Sequence, residues 1–173
     1  SRGLGDVYKR QVPILEAMVY RFPEKKNYYR QLAALYAELK REEDSFHIQQ
    51  IMFSKDMLEK HDELLRIAQL YLFYEVPYKA ALILEKELES GRIKDEEKNW
   101  EQLANAWLSA REWKKAIPPL KKAAEMSEDG ELFLRLGQTF MQEEDWKEAE
   151  EYIKYAIKKG DLDNPGRAWL LLG

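Results

Sequence analysis

One short pattern recurs five times along this chain of 173 residues. It consists of a bulky apolar residue, a Leu or Ile followed at once by a small residue, and then an aromatic. The copies are Tyr29/Leu32-Ala33/Tyr36, Leu64/Ile67-Ala68/Tyr71, Trp100/Leu103-Ala104/Trp107 and Phe133/Leu136-Gly137/Phe140, with Trp169/Leu172-Gly173 breaking off before its aromatic. Successive Leu/Ile positions lie 35, 36, 33 and 36 residues apart. Within a copy, these residues fall on one face of a helix of period 3.6. A period in the mid-thirties predicts helix pairs stacked one on the next.

Each repeat reads as two helices. The first carries the pattern, and a short polar turn follows. The second has a small residue 13 positions after the Leu/Ile: Ser45, Ala80, Ala116 and Ala149. Turn and cap signals separate the repeats: Pro23, Ser90-Gly91 with Asp95 beyond, Asp129, and Asp163-Asn164-Pro165. The expectation is nine or ten antiparallel helices, all-α, in a right-handed α-solenoid of helix hairpins.

The repeat columns resemble tetratricopeptide repeats (TPR). The fourth copy is clearest: residues 133–140, then Glu144-Asp145-Trp146-Lys147-Glu148-Ala149, then Ala156. The resemblance covers residues 12–173 as a single solenoid. It divides into a partial repeat at 12–25, full repeats at 26–60, 61–96, 97–129 and 130–165, and a truncated repeat at 166–173. Two residues depart from the pattern: Glu87 replaces a small residue and Glu42 an apolar one. Residues 1–11 break the register and resemble a translated adaptor remnant, so a non-native or disordered leader is predicted there. The segments Val76-Pro77-Tyr78-Lys79-Ala80, Ala116-Ile117-Pro118-Pro119-Leu120 and Lys158-Lys159-Gly160-Asp161-Leu162 are similar to proteobacterial TPR proteins encoded beside TonB, ExbB and ExbD. That resemblance implies a bacterial envelope adaptor, periplasmic rather than cytoplasmic.

Composition narrows the partners. With 28 basic and 32 acidic residues the net charge is −4, and no Lys/Arg block marks a nucleic-acid surface. There is no cysteine, so disulfides and thiolate metal sites are excluded. No apolar stretch approaches the roughly 20 residues of a membrane span, so direct membrane insertion is not expected.

Chemistry finds little purchase. All five tryptophans fall in repeat columns, where core packing accounts for them better than a ligand cage. The runs Glu42-Glu43-Asp44 and Glu143-Glu144-Asp145 sit where a second helix begins and oppose its dipole. His47 and His61 lack ligand spacing, and no phosphate loop or nucleophile motif occurs. The prediction is no catalytic residue, cofactor or metal.

What remains once the core columns are removed is the exposed side of the first helices. One row is Ala34, Gln69, Asn105 and Gln138; the next is Ala37, Leu72, Leu108 and Met141; the turn before holds Arg30, Leu65, Glu101 and Leu134. Amides can pair with a peptide backbone, and Leu and Met accept varied apolar side chains. The predicted partner-binding set on a concave face is therefore Arg30, Leu65, Gln69, Leu72, Glu101, Asn105, Leu108, Leu134, Gln138 and Met141. No Lys falls in these rows and Arg30, Arg66 and Arg135 are scattered, which argues against a carboxylate clamp. The leading expectation is a noncatalytic scaffold for a protein or peptide partner. The competing one is a structural module that self-associates through helix ends, with a dimer across the C-terminal end face.

Overall fold

The structure, a computed structural model, describes residues 2–173, Arg2 by its backbone alone. Ten helices run in order: α1 (Arg2–Arg21), α2 (Lys26–Glu38), α3 (Glu42–Ser54), α4 (His61–Phe73), α5 (Pro77–Glu89), α6 (Glu97–Ser109), α7 (Trp113–Met126), α8 (Glu131–Gln142), α9 (Trp146–Lys159) and α10 (Pro165–Leu172). Among the described residues there is no strand. The fold is an all-α helical-repeat solenoid. The recurring Leu/Ile positions Leu32, Ile67, Leu103 and Leu136 are all essentially inaccessible to water. Burying each such side chain contributes about 1.5–3 kcal/mol.

The small residue after each Leu sets how closely the neighbouring helix approaches. A Cβ added at Gly137 would stand 2.6 Å from Ile153 Cγ1 and 3.1 Å from the Ala149 carbonyl oxygen. The second-helix column is equally tight: Ser45 replaces the usual alanine and satisfies its buried hydroxyl by donating to the Ala33 carbonyl at 2.8 Å.

The helices group into two compact units, one ending at Glu63 and one spanning Leu64–Gly173. In the first, Val12, Leu32, Leu35 and Tyr36 form the core, with Tyr8, Leu15, Val19, Leu39 and Ile48 packed against it. A non-native or disordered leader is the expectation for residues 1–11, of which Ser1 lies outside the described residues. Residues 2–11 are helical and continuous with the rest of α1. The reason is a stripe at Tyr8, Val12, Leu15 and Val19, spaced 4, 3 and 4 residues, that begins inside the leader.

In the second unit α5 packs on α6, α6 on α7, α7 on α8, α8 on α9 and α9 on α10. Glu87, the departure from the repeat pattern, is fully buried and accepts from Arg92 Nε and Nη2 at 2.6 and 2.8 Å. That pair ties the end of α5 to the loop carrying Ile93, which is also fully buried. Asp95 does not cap α6 as expected; it accepts from the Trp100 indole. Asp129 accepts from the Glu131 amide at 3.0 Å, one residue ahead of the α8 N-cap, Gly130. Asp145 and Asn164 do cap α9 and α10. Pro118 and Pro119 lie inside α7, where they leave the carbonyls of the exposed Lys114 and Lys115 to solvent.

Candidate functional site

Arg135 organises the exposed side of α6 and α8. It stands one residue before Leu136, so its side chain leaves the core face of α8 and crosses to α6. There Nη1 donates to Glu101 Oε1 at 2.7 Å and Nη2 donates to Asn105 Oδ1. Glu101 and Asn105 are one helical turn apart, so a single guanidinium clasps both and fixes α8 against the helix one repeat earlier.

Beside this clasp lies a cleft of about 280 Å³ lined by Leu108, Trp113, Arg135, Gln138, Thr139 and Gln142. Leu108 and the half-buried Trp113 form an apolar wall, and the side chains of Arg135, Gln138 and Gln142 supply polar groups along the opposite one. Thr139 donates its hydroxyl to the Arg135 carbonyl at 2.9 Å. One repeat on, Met141, Trp146, Ala149, Glu150, Ile153, Leu171 and Leu172 line a smaller cleft of about 190 Å³.

Four members of the predicted set thus meet around α6 and α8: Glu101, Asn105, Leu108 and Gln138. Met141 lines the second cleft. Leu65, Gln69 and Leu72 share one face of α4, half-buried, exposed and half-buried in turn. Arg30 belongs to the first unit, where it donates to Glu63. Lys26 Nζ stands 3.7 Å from the same carboxylate. Burial would raise the Glu63 carboxyl, but the Arg30 guanidinium and the Lys60 and Glu59 amides outweigh it and hold it at about 2.

Two expectations need correction. Leu134 lines no surface: it is 2% exposed. The apolar face of α8 is unusually wide, taking in Leu132, Phe133, Leu134 and Leu136, and α8 has α7 on one flank and α9 on the other. The tryptophans also divide. Trp100 and Trp107 are core, but Trp146 and Trp169 are 62% and 60% exposed. A repeat column fixes where a side chain stands; the neighbouring repeat decides whether it is covered.

Sequence reasoning missed Arg135, Trp113, Thr139 and Gln142. A signal existed for the first: Arg135 and Glu101 carry opposite charges 34 residues apart, and Arg30 and Glu63 do so 33 apart. Opposite charges one repeat apart on first helices mark contacts between repeats. Among the described residues no three His, Asp or Glu side chains are grouped to hold a metal, and no helix is long and apolar enough to cross a membrane.

No protein-family model matches this sequence, and no curated protein does either. Solved structures do match. YrrB, described as a TPR protein with an unusual peptide-binding site, is 14% identical over 95% of this chain and 84% of its own, with a TM-score of 0.63. A MamA crystal structure is 17% identical over 85% of this chain and 78% of its own, with a TM-score of 0.61. MamA 41-end from Desulfovibrio magneticus RS-1 is 14% identical over 91% and 92%, with a TM-score of 0.55. At this identity the likeness shows the fold: the chain is a helical-repeat solenoid built as a TPR protein is.

Proposed function

We propose that this protein is a noncatalytic interaction scaffold that binds a peptide or protein segment along the exposed side of α4, α6 and α8. The observation that carries the reading is the cleft between α6 and α8. There an apolar wall, Leu108 and Trp113, faces Arg135, held in place by its bonds to Glu101 and Asn105, with Gln138 and Gln142 beside it. A pre-positioned guanidinium loses little freedom on binding, which favours recognition of a backbone or side-chain polar group. The peptide-binding site for which YrrB is described is consistent with such a use of the fold. The finer reading, an adaptor for a TonB-type envelope system, rests on the short segments at residues 76–80, 116–120 and 158–162.

The test is selection of binders from a random peptide library, followed by Leu72→Asp with Leu108→Asp. Both leucines are half-buried, so the double variant is expected to lose the selected peptides while keeping its helicity and melting temperature nearly unchanged. Retention of binding, or a collapse of melting, overturns the assignment of this face. The assembly reading has its own support in the exposed rings and side chain of Trp146, Trp169 and Leu170. It predicts a dimer by light scattering that Trp169→Glu with Leu170→Glu dissociates without affecting peptide binding.

A further inference from the structure

The two clefts described above are the same cleft built twice. Leu108 and Met141 both stand five residues after the central Leu of their helices, Leu103 and Leu136. Trp113 and Trp146 are both the first residue of the following helix. Arg135 and Leu171 both immediately precede the central Leu of the next first helix, Leu136 and Leu172. The register is conserved from one cleft to the next while the lining changes. The cleft at α6–α8 is about 280 Å³ and mixes an indole and a leucine with Arg135, Gln138 and Gln142. The cleft at α8–α10 is about 190 Å³ and is walled by Met141, Trp146, Leu171 and Leu172.

Size and polarity sort the occupants. An apolar cavity of about 150 Å³ holds a benzene ring. The smaller cleft has room for one side chain of about that size, and its wall of Met141, Leu171 and Leu172, with Met141 adaptable, suits an aliphatic one. The larger has room for a bigger ring against Trp113, with polar groups opposite to meet a polar tip, which describes a phenol. The charges at both rims are already matched within the protein: Arg135 by Glu101, and Glu150 by Lys154. The segment that complements both clefts is accordingly uncharged at the two anchoring positions. A helix with its side chains is about 10–12 Å across, and an extended chain advances about 3.3 Å per residue, so anchors on first helices one repeat apart are about three residues apart in the ligand.

We propose that the cleft at α6–α8 takes a tyrosine and the cleft at α8–α10 an aliphatic side chain, three residues apart in one extended segment of the partner. This rests on the binding reading above and specifies its ligand. The probes are synthetic peptides in a Ser/Gly background with one Tyr and one Leu separated by one to six positions, in both orders, measured by fluorescence anisotropy. They are compared with peptides selected from the random library. Affinity is expected to peak at a separation of three. Removing either anchor should weaken binding about 30-fold, the scale of a buried anchor at an interface.

Trp113→Ala should abolish the penalty for losing the Tyr but not the Leu, and Trp146→Ala should do the reverse. Trp146 is 62% exposed, so its replacement leaves the fold intact. Trp113→Leu, checked by melting, replaces Trp113→Ala if the latter unfolds. If library peptides bind and Leu108→Asp abolishes their binding, but affinity is flat with separation or neither tryptophan couples to its anchor, the two-cleft inference falls and the binding face stands. If no peptide is selected, or Leu108→Asp leaves binding unchanged, the binding reading falls and takes this inference with it.

Discussion

Glu63 sits where burial alone would favour its neutral form, yet the Arg30 guanidinium and the Lys60 and Glu59 amides keep it charged. Its carboxyl is held at about 2, below the usual value of 4.5. A depressed carboxylate stabilises the fold fully above its unfolded value and loses that contribution as pH falls through the folded one. Tyr36 works at the other end. Burial raises its phenol to about 12, assisted by the hydrogen bond it donates to Glu16 and by that residue's charge. A raised group stabilises below its unfolded value, here 10.0, and the contribution disappears as pH rises towards about 12. Both residues lie in the unit that ends at Glu63. Its stability is therefore expected to fall from about pH 4.5 towards 2 and again from about pH 10 towards 12. Chemical denaturation across pH checks this. Glu63→Gln should flatten the acid limb at a cost of about 1 kcal/mol near neutrality, since the Arg30 partner is exposed and screened by water. Tyr36→Phe should flatten the alkaline limb. An unchanged acid limb in Glu63→Gln would assign it to other carboxylates.

The four turns between first and second helices share a conformation that no residue pattern announced. Lys40, Glu75, Arg111 and Glu144 each stand eight residues after the central Leu or Ile, and all have φ between 57° and 59°. The next amide in each reaches back to the aromatic of the repeat: Arg41 to Tyr36, Val76 to Tyr71, Glu112 to Trp107 and Asp145 to Phe140, at 2.8 to 3.0 Å. This is the bond that closes a helix end through a left-handed residue, a position where glycine is usual. The left-handed region costs a non-glycine residue about 1–2 kcal/mol, while glycine gives back part of that in chain entropy. Lys40→Gly, Glu75→Gly, Arg111→Gly and Glu144→Gly are each expected to raise stability by up to about 1 kcal/mol, additively since they lie in separate turns. Thermal melting of the quadruple variant measures the sum, and a loss would mean that these side chains hold the turns. The turns themselves were legible as polar breaks, but their handedness was not, because Lys, Glu and Arg carry no preference for it. The helices were legible because Leu32, Ile67, Leu103 and Leu136 enforce one face at one spacing. The candidate site was legible only in part. Leu108 and Gln138 follow from helical offset, whereas the clasp by Arg135 needs a neighbouring repeat to be present. Leu134 shows the converse: its offset suggests a lining residue, and its neighbours bury it.

Across the second unit the main packing runs from each helix to its neighbour in sequence, α5 through α10, with the Arg135 clasp joining α8 to α6. In such a chain stability is a sum of local interfaces, and a defect at one propagates with distance along the stack. Gly137 offers a clean defect. An alanine there would press its Cβ to 2.6 Å from Ile153 Cγ1, and the backbone of Ala149 and Ile153 lies just beyond, at 3.1 and 3.2 Å. Ile153 is buried and cannot swing clear, so α9 must shift. Overpacking of this kind costs about 1–3 kcal/mol, partly offset by the roughly 1 kcal/mol that alanine gains over glycine in a helix. The net is a loss of about 1–2 kcal/mol concentrated at the α8–α9 interface. Hydrogen exchange should then show protection falling most in α8 and α9, less in α7 and α10, and least in α5. Gly137→Ala combined with Ile153→Val removes a methyl group near the clash and should restore part of the protection. A uniform loss from α5 to α10 would show that this unit unfolds as one cooperative block, which the succession of neighbouring interfaces argues against.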